Sequence, residues 1–218
     1  MEFILTESEF NEDNTAWNGN RFLMGNGYFG IRGTLEEYTK KQMCAVNMAG
    51  IYDKMGNSWR ESVNAPNPLY TYIKVNGKIY ALPDEKPKFH QQELDFRYGI
   101  HSRVTHWQTE HGNITVVCER FASIARQHNI AMKYTFSVDF DCEAEIITGI
   151  DGDVWDINGP HFVKMKIGSK DGADYVTGMT GEKNISVTVK EYVRTDFQAE
   201  QTNQNTDKSI FRHIKFSA

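Results

Sequence analysis

A glycine-rich run near the amino terminus has the spacing of a phosphate-binding loop. Residues 25–30 read Gly-Asn-Gly-Tyr-Phe-Gly, which matches the Gly-x-Gly-x-x-Gly pattern whose glycines let backbone amides approach a pyrophosphate. Such a site also needs a helix that opens directly from the loop, but Gly33 interrupts any helix here. The pattern therefore favours a glycine-shaped turn between short strands over nucleotide binding, and no cofactor is predicted.

Three carboxylates lie close together further along the chain. Asp151, Asp153 and Asp156 could bind calcium or supply the acid and base of a glycosidase. The calcium loop of an EF-hand requires a bidentate glutamate at its twelfth position, where this chain has Phe162. Because three glycines surround these residues, a polar connecting loop is the better interpretation.

The histidines form no recognisable metal or catalytic motif. None of the seven has the His-Glu-x-x-His or Cys/His spacing that directs two ligands to one ion, so no metal site is predicted. No Gly-x-Ser-x-Gly nucleophile elbow is present either. We therefore expect exposed or core-edge histidines, and no catalytic residue is identified.

Two tryptophans are candidates for contact with a sugar. Trp59 and Trp155 both lie in polar, loop-like sequence, and the apolar face of a sugar can stack on an aromatic ring. Most of the other aromatic residues are expected in the core. Trp59 and Trp155 are therefore the predicted sugar-stacking residues.

The elements that would position these residues are β-strands. From about Leu69 onward, aromatic and β-branched residues alternate with polar ones. Asn76-Gly77 joins two such runs and predicts a type I′ hairpin. Further strands are predicted at 103–107, 113–120, 130–138, 144–149, 162–167, 175–179, 185–193 and 210–216. This spacing predicts an all-β fold, an antiparallel sandwich or barrel.

The remaining segments are predicted to be less regular. A short helix is predicted over residues 35–41, and surface loops are predicted at 57–68 and 83–88. Residues 198–208 are polar enough to predict a mobile loop.

The charge and the apolar content of the chain disfavour some classes of binding partner. The net charge is -5 and no basic block occurs, which disfavours binding to nucleic acid or to an anionic membrane. No apolar run approaches the ~20 residues of a membrane-spanning helix, and no secretory signal is visible, so a cytoplasmic location is expected. The three cysteines, Cys44, Cys118 and Cys142, are predicted to be buried and unpaired.

Several motifs together resemble glycoside hydrolase family 65. Residues 23–33, Leu-Met-Gly-Asn-Gly-Tyr-Phe-Gly-Ile-Arg-Gly, resemble the family's opening motif. In register with it are Trp17-Asn18, Glu36-Glu37, residues 47–52, a central hairpin around residues 94–107, and residues 119–128 and 149–154. The resemblance covers residues 10–154 and, more loosely, the rest. The family includes maltose, trehalose, kojibiose and nigerose phosphorylases.

The resemblance implies a fold and a place in a larger protein. The region is similar to an N-terminal β-sandwich of the supersandwich, galactose mutarotase-like type, so residues 1–218 are expected to form one domain. In the family a helical barrel follows and carries the general-acid glutamate and the phosphate-binding residues. The chain therefore resembles a fragment without the catalytic barrel, and no catalytic residue is carried over.

For the full enzyme, the resemblance implies cleavage of an α-linked glucosyl disaccharide. Inorganic phosphate would attack the anomeric carbon with inversion and release β-glucose 1-phosphate, while a glutamic acid protonates the leaving oxygen. Hydrolysis is the other reaction open to the family, and a homodimer is expected.

Two functions are kept for the chain itself. In the first, Asn26, Tyr28 and Arg32 of the motif pack on the barrel and support the sugar pocket, while the domain acts as a scaffold. In the second, the chain is a stand-alone carbohydrate-binding or mutarotase-like protein, in which a histidine and a carboxylate exchange protons at the anomeric carbon.

Overall fold

Strands account for most of the regular structure. In the computed structural model, which describes residues 3–218, those residues form seventeen β-strands and one α-helix. In chain order these are β1 (Ile4–Glu7), α1 (Thr15–Arg21), β2 (Met24–Gly25), β3 (Phe29–Ile31), β4 (Val46–Asp53), β5 (Glu61–Asn64), β6 (Asn67–Val75), β7 (Lys78–Tyr80), β8 (Phe89–Asp95), β9 (Ile100–Gln108), β10 (Asn113–Ala122), β11 (Ile130–Val138), β12 (Glu143–Asp151), β13 (Phe162–Lys170), β14 (Ala173–Thr180), β15 (Ser186–Glu191), β16 (Glu200–Asn205) and β17 (Ile210–Ser217).

Two five-stranded antiparallel sheets form the sandwich. The first has the order β1-β8-β9-β10-β11 and the second the order β16-β17-β12-β6-β7. Their facing side chains share one core, in which Trp107, Ile114 and Val116 from the first sheet pack with Ile73 and Ile146 from the second. Burial alternates along these strands, since every second side chain of β6 and β9 is buried. This alternation explains why the two sheets pack face to face.

Two smaller sheets complete the fold. The order β2-β3-β4-β5 forms a four-stranded sheet that contains the glycine-rich motif, and β13-β14-β15 forms a three-stranded sheet. The three-stranded sheet packs on Ile150 of β12 and Ile210 of β17. Ile146 of β12 and Ile214 of β17 belong to the main core. Each lies an even number of residues from the isoleucine of its strand that contacts the three-stranded sheet. The three-stranded sheet therefore covers the same face of the second sheet as the first sheet does.

The structure confirms the predicted all-β, antiparallel sandwich and both hairpins. Asn76 and Gly77 have φ angles of 50° and 79°, as a type I′ turn requires. The predicted buried, unpaired state of Cys44, Cys118 and Cys142 is also confirmed.

Three segment predictions were wrong. Residues 35–41 form no α-helix, because Glu36 and Glu37 turn into the core to meet arginines, and only a 3₁₀ turn follows at Lys40–Gln42. Part of residues 57–68 belongs to β5 and β6. The polar run predicted as a mobile loop contains β16, whose backbone pairs with β17 along a fully exposed edge. A polar edge strand suits an exposed position because it discourages pairing with other chains.

Candidate functional site

The glycine-rich motif is a tight turn between β2 and β3, as predicted. The Asn26 side chain closes the turn by accepting hydrogen bonds from the backbone N–H groups of Tyr28 (3.0 Å) and Phe29 (2.8 Å). Its amide nitrogen donates to the carbonyl oxygens of Ser123 (2.7 Å) and Gln127 (3.0 Å). Asn26 therefore fastens the motif to the connection between β10 and β11.

The other two motif residues contact different neighbours. The Tyr28 ring stacks on His128, with ring centroids 4.3 Å apart and an interplanar angle of 18°. The Arg32 guanidinium donates to the carbonyl oxygen of Ala16 in α1 (2.7 Å), while its Nε is buried without a partner. Burial lowers the pKa of Arg32. The structure thus brings Asn26 and Tyr28 to one connection and directs Arg32 to α1, and their support of a sugar pocket remains a prediction.

A buried ion network lies beneath the motif. Glu36 accepts from Nε of Arg103 and from Nη1 of Arg120, both at 2.8 Å. Glu37 accepts from Nη2 of Arg103 at 2.6 Å, and Nη2 of Arg120 donates to the carbonyl oxygen of Thr34. The four charged side chains are 0 to 2% exposed. Residues that carry the family resemblance therefore meet in the core, where a substrate cannot reach them.

The two glutamates of this network differ in acidity. Burial would raise the pKa of Glu36, but Arg120 and Arg103 outweigh burial and lower that pKa to about 2. Burial raises the pKa of Glu37, which is opposed by Arg103 alone among the arginines. Glu36 is therefore the fixed anion that holds both arginines.

Three histidines contradict the expected exposed or core-edge placement. His90, His101 and His161 are 3%, 0% and 1% exposed. Burial, followed by Arg120, lowers the pKa of His101 well below its usual value, and burial lowers the pKa of His90 to about 4. Both imidazoles are neutral core groups. The signal was present in the sequence, because His101 has the same strand parity as Trp107.

A second buried cluster surrounds His161. Its Nε2 lies 2.8 Å from Oε1 of Glu61, and its Nδ1 lies 3.3 Å from Oδ2 of Asp53. Glu61 also accepts from the backbone and side-chain nitrogens of Asn158, both at 2.8 Å. The cluster joins the β4–β5 region to the loop before β13, and nothing in the spacing of these residues had pointed to it.

The carboxylates around His161 strengthen its hold on a proton. Ligand atoms of Glu61, Asp156 and His161 lie within 4.8 Å of one another, which is a separation that a metal ion could bridge. Burial would lower the pKa of His161, but Glu61, Asp156 and Asp53 raise it. Both ring nitrogens face carboxylates, an arrangement that favours the protonated ring over a ring with a lone pair free for a metal.

The three loop carboxylates do not share one site. Asp151 is buried and accepts from Oγ of Ser209 at 2.9 Å, whereas Asp153 pairs with Lys40 and Lys208, each at 2.7 Å. Asp156 belongs to the His161 cluster. The interpretation of this stretch as a polar connecting loop is confirmed, since residues 152–161 contain no strand.

The two candidate tryptophans lie on the loops that the His161 cluster joins. Trp59 is 63% exposed and precedes Arg60, whose guanidinium pairs with Glu182. Trp155 is partly buried, its carbonyl accepts from Nδ2 of Asn64, and its indole nitrogen is buried without a partner. Contact between either ring and a sugar remains a prediction.

An open groove of about 700 Å³ lies between β11 and β15. Its floor includes Thr71, Ile146 and Thr148 of the second sheet, and His128 and Asn129 lie at one end. Glu191 extends into it and accepts from Oγ1 of Thr148 at 3.1 Å, while its Oε2 is buried without a partner. Burial raises the pKa of Glu191 to about 7. Sequence reasoning did not single out Glu191.

Among residues 3–218, no helix is long and apolar enough to cross a membrane.

Several known proteins with similar sequences are phosphorylases. Nigerose phosphorylase from Lachnoclostridium phytofermentans is 51% identical over 166 residues, which are 76% of this chain and 22% of that protein. The 1,2-alpha-glucosylglycerol phosphorylase from Bacillus selenitireducens is 37% identical over 193 residues, 88% of this chain and 25% of that protein. The chain thus spans about a quarter of the length of these relatives.

The fold and the family model agree with these relatives. A solved structure assigned as a kojibiose phosphorylase from the human microbiome superposes with a TM-score of 0.87 at 19% identity, over 99% of this chain and 30% of that one. The model of the glycosyl hydrolase family 65 N-terminal domain matches residues 5–218. The chain therefore belongs to glycosyl hydrolase family 65, as the N-terminal domain.

Proposed function

We propose that this chain is the non-catalytic N-terminal domain of an enzyme that cleaves α-glucosyl disaccharides by inverting phosphorolysis. It acts as a scaffold and supports the sugar pocket of a helical-barrel catalytic domain in the longer parent protein. Phosphorolysis is preferred to hydrolysis because the relatives described above are named as phosphorylases.

One observation carries the proposal: the charged residues that match the family motifs face the core of the domain. Glu36, Glu37, Arg103 and Arg120 satisfy one another in the core and are almost fully buried. A general acid must reach the glycosidic oxygen, so a carboxylate held in this way cannot serve. These residues instead fix the shape of the domain, which suits a scaffold.

The proposal includes partners and a location. The parent enzyme binds an α-glucosyl disaccharide and inorganic phosphate, its barrel packs against this domain, and it forms a homodimer. We place it in the cytoplasm, a reducing compartment, because Cys44, Cys118 and Cys142 are all unpaired.

The test compares the parent protein with the chain of residues 1–218. We expect the parent to release β-glucose 1-phosphate from an α-glucosyl disaccharide only when phosphate is present, and we expect the isolated chain to release none. Polarimetry of fresh α-glucose with the isolated chain tests the stand-alone alternative. Enzymatic mutarotation by residues 1–218 would replace the scaffold proposal with a mutarotase.

The pocket-support role of the motif has its own test. In the parent, Arg32→Ala is expected to lower turnover, and loss of the hydrogen bond to Ala16 should lower the free energy of unfolding by about 1 kcal/mol. Arg97→Ala on the exposed β8–β9 turn is the matched control. If Arg32→Ala changed neither turnover nor stability, Arg32 would have no part in the pocket.

A further inference from the structure

The outer face of the three-stranded sheet is cationic. Met165 and Ile167 of β13 pack into the core, so the intervening and flanking residues Lys164 and Lys166 point outward, and Lys170 follows with the same parity. Strand pairing brings exposed Lys190 of β15 to the same face. The remaining outward side chains of β14 and β15 are uncharged: Tyr175, Thr177, Met179, Ser186 and Thr188.

The carboxylates of the two other strands lie on the inner side of this sheet. Asp174 is buried and accepts hydrogen bonds from Nε and Nη2 of Arg212, at 3.2 and 2.6 Å. Glu191 extends into the groove, where burial raises its pKa to about 7 and so weakens its negative charge near neutral pH. These carboxylates therefore leave the positive charge of the outer face largely uncompensated.

The lysines of this face are also free of ion pairs. Within residues 3–218, the lysines that pair with carboxylates are Lys40, Lys74, Lys78 and Lys208. Residues two apart on a strand are about 7 Å apart, which is less than the Debye length of about 8 Å at physiological ionic strength, so their fields add. Because the whole chain has a net charge of -5, this face attracts anions while the rest of the surface repels them.

The strand that carries three of these lysines has a free edge. β13 pairs with β14 on one side, and within residues 3–218 no strand pairs with its other side. A free edge offers backbone N–H and C=O groups with which an extended polypeptide can pair. A strand added there would place every second side chain about 5 Å from a lysine of β13.

Lysines on an edge strand also discourage pairing with unrelated strands. That obstacle depends on the incoming strand, because a basic strand is repelled and an apolar one covers the charges without compensating them. Carboxylates at the opposite positions remove the obstacle. The same lysines that reject most strands therefore favour an acidic one.

We propose that the free edge of β13 binds an extended, acidic segment of a partner protein that carries carboxylates at alternate positions. The segment becomes a fourth strand beside β13, and its carboxylates pair with Lys164, Lys166 and Lys170, while Lys190 strengthens the field across the sheet. A nucleic acid has no backbone groups that pair with a strand edge, and its charge would extend over the acidic remainder of the chain. The edge therefore fits a polypeptide.

Titration with labelled peptides tests the proposal by fluorescence anisotropy. One peptide alternates glutamate and threonine, and its isomer has the same glutamates in one consecutive run. We expect the alternating peptide to bind about tenfold more tightly, with an affinity that falls as salt is added. Equal affinities would mean that charge alone attracts the peptide and would overturn the added strand.

The titration is made on the parent protein and on the chain of residues 1–218, so its result does not depend on the proposed function. Binding by both supports the proposal. Binding by the short chain alone would assign the edge to another part of the parent and would overturn it. Phosphate-dependent activity of the parent is measured separately, which keeps failure of the proposed function distinct from failure of this inference.

Substitutions at exposed positions identify the face. Lys164→Gln combined with Lys166→Gln should weaken binding of the alternating peptide about tenfold, because two ion pairs are lost. Lys86→Gln combined with Lys215→Gln changes the net charge equally on other exposed surfaces and should leave binding unchanged. Lys164→Glu combined with Lys166→Glu should reverse the preference, toward a peptide that alternates lysine and threonine. Equal effects of the two glutamine pairs would overturn the proposal.

Other anions give different results. Single-stranded DNA that binds as tightly as the alternating peptide, with the same loss in the Lys164→Gln and Lys166→Gln variant, would assign the face to a nucleic acid. Equally tight binding to vesicles of phosphatidylcholine and phosphatidylserine would assign it to a membrane surface. Either result overturns the proposal.

Discussion

At the scale of residues, buried charge is used to hold distant parts of the chain together. Glu36 and Glu37 follow the glycine-rich motif, whereas Arg103 and Arg120 lie on β9 and β10 of the main sandwich. Each arginine is fully desolvated, so its charge must be matched by a carboxylate. The motif and the sheet are consequently locked together by a few specific contacts.

Removal of one member of this network is expected to be costly. Arg103→Met leaves Glu36 and Glu37 short of a buried partner, and it should lower the free energy of unfolding by about 3–5 kcal/mol. The measurement is urea unfolding of residues 1–218 at neutral pH. Arg97→Met, on an exposed turn, is the control and should cost no more than about 0.5 kcal/mol. Equal losses in the two variants would contradict a network role.

His161 is expected to stabilise the fold in a pH-dependent way. The carboxylates of Glu61, Asp156 and Asp53 raise its folded-state pKa above the unfolded value of about 6.5. Its contribution is therefore fully present below about pH 6.5 and is lost as the pH rises through the folded-state pKa. The stability difference between the wild type and His161→Gln, measured by urea unfolding, should shrink as the pH rises above about 6.5. A stability difference for His161→Gln that does not change with pH would contradict this contribution.

The sequence marked the residues of the buried ion network without showing how they contact one another. The match of Glu36, Glu37, Arg103 and Arg120 to family motifs was visible, but their mutual contact was not, because it depends on how β9 and β10 pack over the motif. His101 could have been predicted to be buried from its parity with Trp107. The His161 cluster joins residues about a hundred positions apart, and no local pattern indicates such a contact.

At the scale of elements, turn residues and the alternation of polar and apolar side chains located the strands that have one buried face. β6 and β9 show this alternation, and both were located from it. β16 was missed because all six of its side chains are exposed and polar, so only its backbone pairing with β17 makes it a strand. The helix predicted over residues 35–41 does not form, because Glu36 and Glu37 of this segment make buried ion pairs instead.

Two glycines of the same motif should respond differently to alanine. A Cβ on Gly33 would collide with the backbone and Cβ of Phe22, whereas a Cβ on Gly30 would meet open space. Gly33→Ala should therefore cost about 1–3 kcal/mol, and Gly30→Ala no more than about 0.5 kcal/mol. Thermal unfolding of the two variants side by side provides the comparison. Similar midpoints would mean that the Gly33 turn relaxes and that close packing on Phe22 is not the reason for its glycine.

At the scale of the whole molecule, one layer of the sandwich is open. Two five-stranded sheets share a core, yet the layer formed by β11 and β15 is interrupted by an open groove. The relatives are about four times as long as the matched region. An interrupted layer is consistent with the longer parent protein proposed above.

An open strand edge should make the short chain associate. Sedimentation velocity of residues 1–218 is expected to show larger species as concentration rises, because an unpaired edge is a template for another strand. Met132→Lys directs a charge into the groove and should restore a monomer, whereas Lys133→Gln, on the outer face of β11, should not. Association that is unaffected by Met132→Lys would locate the contact elsewhere.

The strand pairing has a consequence for synthesis on the ribosome. β6 finds its neighbour β12 only after about 70 further residues have been made, which takes about 4 to 14 s at 5–20 residues per second. β1 likewise waits for β8, and β12 for β17. Such non-local pairing folds slowly, since loop closure must precede any gain from contact. A nascent chain stalled before Glu143 would expose the apolar face of β6, so chaperone capture should concentrate on that interval of translation.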